Sequence, residues 1–140
     1  QLDIRIIYPD TNNVNQSYIL RCDSSGKWSA FIRTDTIRMN ALINRREIMQ
    51  SKYIPLVADI GFDTLFTQLK ENKIFRLNDL VYLSGGGIVS LYYKAGNKFN
   101  RYVFSNPESM LKIRTGAGKY VKYYYNIMDL FINHLKPLVE

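Results

Sequence analysis

In the opening residues Leu2-Asp-Ile-Arg-Ile-Ile-Tyr8, Leu2, Ile4 and Ile6 alternate with Asp3 and Arg5, a period of two. That period is the mark of a strand with one dry face and one wet face. Turn formers follow in "YPDTNNVNQ". Two further β-rich runs, Ser17 to Cys22 and Trp28 to Arg33, flank "DSSGK", where Gly26 can supply the positive φ of a tight hairpin connection. A second set of β-prone runs lies at Leu80 to Leu83, Ile88 to Tyr93 and Phe99 to Phe104. Gly85-Gly-Gly87 and Ala95-Gly-Asn97 punctuate them as a meander.

Helical spacing separates the two hairpin groups. Phe62, Leu65, Phe66 and Leu69 fall at i, i+3, i+4, i+7, with Asp63 in the first turn and Lys70 and Lys73 near the end, where they suit the helix dipole. After "SNPESM", read as a turn in which Asn106 caps and Pro107 opens a short helix, a glycine loop at 116–118 leads to a second stripe. It comprises Val121, Tyr124, Met128, Phe131, Ile132 and Leu135, and Pro137 ends it. Between 36 and 58, Ile37, Met39, Leu42, Ile43, Ile48 and Met49 fit neither period, and the segment is left without an assignment. The expectation is an α+β fold: an antiparallel β-meander sheet with two main helices, at about 59–72 and 119–136, packed on one face. A length of 140 residues and an apolar share of 46% suit a single globular domain over 1–140 with one core.

Two glycine stretches invite a nucleotide-binding reading, and each fails on spacing. In "RTGAGKYVKYYYN" a phosphate loop would need glycine at Ile113 and a hydroxyl amino acid at Tyr120. In "SGGGIVS" the third glycine of a dinucleotide fingerprint would fall at Ser90, and a β-run rather than a helix follows. His134 is the only histidine and Cys22 the only cysteine, which excludes a multi-histidine metal site, a thiolate cluster and an intrachain disulfide. His134 reads as a residue of the last helical turn and Cys22 as a core or edge thiol. No catalytic residue, cofactor or metal is expected. A carboxylate pair such as Asp59 with Asp79 is the one hydrolytic arrangement left open.

Charge is unevenly placed. Lys94, Lys98, Arg101, Lys112, Arg114, Lys119 and Lys122 face only Glu108 across 94–122, so this segment carries six of the chain's seven net positive charges. Tyrosines interleave with them, 11 in the whole chain. Phosphates or sulfates on the cations and flat groups on the rings would make such a segment a face for an anionic polymer. Its plainer reading is a solvated basic surface with half-buried tyrosines. The candidate surface residues are Tyr92, Lys94, Lys98, Arg101, Tyr102, Lys119, Lys122 and Tyr123.

No apolar run approaches the roughly 20 residues that span a bilayer. The chain begins on Gln1 and enters a strand at once, which favours an exported protein, periplasmic or extracellular, from which a leader has been removed. A helix ending "QLKENKIFRLND", a glycine-punctuated meander, "YVFSNPESM" and a tyrosine-rich terminal helix together resemble the small exported α+β proteins of Bacteroidetes-type gut bacteria, over roughly 62–135. The resemblance implies an exported, non-catalytic module and gives no residue a role. The leading expectation is therefore a non-enzymatic binding or accessory domain that meets another macromolecule, protein or glycan, through a tyrosine-rich surface. A polyanion-binding module for nucleic acid or sulfated glycan, using 94–122, is the alternative, and a carboxylate-based hydrolase the third.

Overall fold

Leu2, Ile4 and Ile6 are buried while Asp3 and Arg5 remain partly exposed, as the alternation requires. They belong to β1 (Leu2–Ile7), an interior strand of one antiparallel sheet. A computed structural model describes residues 1–79, 88–105 and 118–138. With β2 (Val14–Cys22), β3 (Trp28–Asn40), β4 (Arg45–Ala58), β5 (Ile88–Ala95), β6 (Lys98–Ser105) and β7 (Leu135–Pro137), the seven strands are ordered β6-β5-β1-β2-β3-β4-β7. Two helices accompany them among the described residues, α1 (Phe62–Glu71) and α2 (Gly118–His134). The α+β class, the largely meander order and the two helices agree with the sequence reading.

Both helices lie on one side of the sheet. Ile4 and Ile6, flanked by Leu20, Leu91 and Phe104 from neighbouring strands, meet Leu65 and Leu69 of α1 and Tyr124, Ile127 and Phe131 of α2. Each such large side chain contributes roughly 1.5–3 kcal/mol on leaving water. Aromatic contacts fix how the layers sit. Tyr124 stacks on Phe104 with ring centroids 4.0 Å apart, and Phe131 meets Tyr18 edge-on at 6.1 Å. Trp28 lies parallel to Phe62, and its indole N–H donates to Asp63 Oδ1 at 3.2 Å, tying the first turn of α1 to β3.

The structure departs from the sequence reading at three places. Residues 36–58 are the end of β3, a turn at 41–44 and all of β4. Their register shifts between Thr36 and Ile37, and beyond that shift most side chains are exposed, so neither period survives. α2 stops at His134, and Leu135–Pro137 turn directly into β7 because their backbone completes a ladder with Leu56–Ala58. On α2 the buried stripe includes Ile127 and Leu130, whereas Ile132 is half exposed. The expected strand at Leu80–Leu83, the Gly85–Gly87 connection, the capped turn at Asn106–Pro107 and the loop at Gly116 lie outside the described residues.

Gly61 stands before α1 with φ 83° and ψ 146°, a region in which L side chains are strained. A Cβ there would meet nothing within 4 Å, so the cost of adding one is purely a backbone cost. Gly61→Ala is expected to destabilise the fold by about 1–3 kcal/mol, measured as a shift in urea midpoint at unchanged slope.

Candidate functional site

Alternation that sends Leu2, Ile4 and Ile6 toward the helices sends Asp3, Arg5 and Ile7 to the opposite side. The register places Ile19, Arg21, Phe31, Arg33, Tyr53, Tyr92, Lys94 and Arg101 on that same side. Among the described residues no helix or strand packs on this face, although Ile19 at its centre is only 1% exposed. Its cross-strand neighbours Arg5 and Phe31 cover it, which is how long cations shield apolar surface with their stems.

The face is electrostatically organised. Arg5 donates to both carboxylate oxygens of Asp3, Nε at 2.9 Å and Nη2 at 3.1 Å, and Arg21 Nε reaches Asp3 Oδ2 at 3.1 Å. Burial alone would raise the Asp3 carboxyl. The Arg5 hydrogen bond and charge, with Arg21 adding to both, hold it below the ordinary carboxylate range. Asp3 in turn raises the Arg5 guanidinium against the pull of burial. Further along, Arg33 Nε and Ser51 Oγ donate to the buried Asp35 at 2.9 and 2.6 Å, and the Arg33 guanidinium lies 5.7 Å from the centre of the Tyr53 ring. Tyr53 also meets Phe31 edge-on. Toward β6, Arg101 Nη2 donates to Ser90 Oγ at 3.0 Å and has no carboxylate partner among the described residues. Arg5, Ile7, Tyr92 and Arg101 line a shallow recess of about 290 Å³. A larger one of about 550 Å³ opens beside it, where Asp3, Arg21, Asp23, Lys27 and Lys94 surround the start of β1.

The eight residues selected from sequence do not form one surface. Tyr92, Lys94 and Arg101 share the open face. Tyr102 points to the helix side at 4% exposure, packed against Tyr93, and by alternation Lys98 shares that side at the sheet edge. Lys119, Lys122 and Tyr123 belong to α2, where Lys122 is exposed and Tyr123 packs against the core. Contiguity in sequence selected neighbours that a strand sends to opposite faces. It also passed over Arg5, which the period-two reading of β1 sets opposite the apolar side, and Arg21, Phe31, Arg33 and Tyr53, which only the strand register brings to the same face.

Five of the carboxylates, Asp3, Asp10, Asp35, Glu47 and Asp59, act as ion-pair partners. Asp59 accepts from His134 Nδ1 at 2.9 Å with Lys136 Nζ at 3.8 Å, and the His134 bond is the main cause that holds it low. Asp79 Oδ1 accepts the backbone N–H of Val103 at 3.0 Å, so the two members of the considered pair are tied to different elements. Arg46 lowers Asp10, and Asn40 with Arg38 lowers Glu47. Carboxylates held low stay ionised at neutral pH, the reverse of what a general acid needs. Among the described residues no group of three metal-ligating side chains comes together. No protein-family model matches the sequence, and no curated protein matches it.

Proposed function

We propose that this chain is a non-enzymatic binding domain that holds an anionic macromolecule, an acidic protein or glycan, on the open face of its sheet. One observation carries the reading: both described helices cover the same side, and the side that no described element covers alternates cations with aromatic rings. Arginine and tyrosine are the side chains that most often anchor interfaces, because each combines a large contact area with directed polar groups. The cations and rings sit on paired strands, so their spacing is fixed before a ligand arrives and little ordering entropy is lost on binding. The carboxylates on this face serve to align arginines, as Asp3 and Asp35 do.

Heparin and polyglutamate are suitable probes. Wild-type affinity should fall as salt rises, because docking cations release the polymer's counterions. Tyr92→Ala combined with Arg101→Ala is expected to weaken binding by about tenfold or more, with melting unchanged. Lys70→Ala combined with Lys122→Ala, on the helix side, should change it by less than about twofold. Equal losses in the two pairs would place the interaction in general basicity and remove the open face as its seat.

A further inference from the structure

β3 and β4 continue past the body of the sheet as a two-stranded arm joined by residues 41–44. Its turn is built from polar atoms. Leu42 N–H donates to Asn40 Oδ1 at 3.0 Å, and Asn40 Nδ2 donates to Glu47 Oε1 at 2.9 Å. Glu47 Oε2 accepts from Arg38 Nη2 at 2.9 Å, and Asn44 takes a left-handed φ of 49°. This network fixes the turn and leaves its apolar side chains outside: Leu42 is 96% exposed, Met39 59% and Ile43 54%.

We propose that this tip docks on lipid bilayers carrying anionic headgroups. An apolar point that is convex and held rigid has no room to receive a partner's side chain and must itself enter something. Around it stands a basic collar: Arg38 is paired with Glu47 and Arg46 with Asp10, both on the exposed surface, and Arg45 has no carboxylate partner among the described residues. The exposed Arg46–Asp10 pair is weak and is not part of the network that fixes the turn, so lipid phosphates can take over the Arg46 guanidinium as well as that of Arg45. A second copy of the chain would set these arginines against their own kind. The headgroup boundary of an anionic membrane supplies what the tip lacks, phosphate for the collar and hydrocarbon for Leu42 and Ile43 within about 5–10 Å of the surface. Backbone groups of the turn remain hydrated at that depth, as they must. No helix among the described residues is long and apolar enough to cross a membrane, so the contact is peripheral. It is separate from the open sheet face.

The test is sedimentation with phosphatidylcholine vesicles, with and without phosphatidylserine, at low and high salt. Wild type should bind only the phosphatidylserine vesicles and be released by salt. Leu42→Asp with Ile43→Asp should weaken binding by about tenfold or more. Arg45→Ala should weaken it by about fivefold. These side chains are exposed, so melting should be unchanged in every variant. Leu42→Trp adds a direct probe, because the only native tryptophan, Trp28, is packed against Phe62. Its emission should shift to the blue with phosphatidylserine vesicles alone. Wild type left in the supernatant, or the double aspartate variant sedimenting like wild type, overturns the proposal. So does tip-dependent capture by an acidic protein without vesicle binding.

Discussion

Phe131→Ala is expected to destabilise the protein by about 3–5 kcal/mol, which corresponds to a fall in melting temperature of about 10–20 °C at this size. The ring is fully buried, meets Tyr18 edge-on, and lies where α2 crosses the central strands. Truncation leaves a cavity that the strands beneath are too constrained to fill, so the lost transfer energy and the cavity cost add. Ile132, its neighbour, is half exposed, and Ile132→Ala should cost less than about 0.5 kcal/mol. Paired thermal melts check both the docking and the face of α2. Equal melting of the two variants would show that the helix is not seated as described.

Stability should also fall steeply in alkali, between pH 10 and pH 12. Tyr8 is pushed up to about 12, by burial first and then by the charge of Tyr18. Burial raises Tyr124 further, with Asp79 and Tyr102 adding, and Tyr18 and Tyr102 are raised by burial as well. A phenol neutral in the folded state contributes fully below its unfolded value near pH 10. Above that the unfolded chain ionises first and carries fewer protons, so folding weakens until the folded pKa is passed. The two most strongly shifted phenols, Tyr8 and Tyr124, each remove about 1.4 kcal/mol per pH unit above the unfolded value, about 3 kcal/mol for Tyr124 across this window. The Tyr8 hydroxyl is buried without a hydrogen-bond partner among the described residues, which leaves its phenolate nothing there to lean on. Tyr124→Phe separates this effect from packing. It removes the hydrogen bond to the Asn78 carbonyl and should be less stable than wild type at pH 8 by about 1 kcal/mol, then more stable near pH 12. Two stability curves that stay parallel from pH 8 to pH 12 would rule out phenol ionisation as the cause.

Where burial writes a period, the sequence was readable. Ile4 and Ile6, or Leu65 and Leu69, are buried on one side and bordered by wet neighbours, and the strand and helix they define are present. The arm between Thr36 and Gln50 resists the same reading. Its register shift inverts the period, and Met39, Ile48 and Met49 sit exposed where a core residue would be expected. β7 was hidden for another reason: three residues in a ladder leave no pattern of their own, and only Leu56–Ala58, far earlier in the chain, specify them. The candidate face was half legible. Tyr92 and Arg101 stood out because they are basic or aromatic in a basic segment, whereas Arg5 and Tyr53 join them only through pairings across β1 to β4 that no local window contains.

The place of β1 between β2 and β5 has a consequence in time. Of the seven described strands β1 is made first, and one of its two partners is made within the next two dozen residues, but the other begins at Ile88. At about 5–20 residues per second, roughly 4–16 s separate the two on a ribosome. Throughout that interval one side of β1 is an open edge beside Leu2, Ile4 and Ile6, side chains that the finished protein hides from water. The moment of greatest danger for this chain therefore comes before it is complete, at an edge that the mature molecule no longer has. Until the β5–β6 hairpin is synthesised, that edge lacks the strand that pairs with it in the finished sheet.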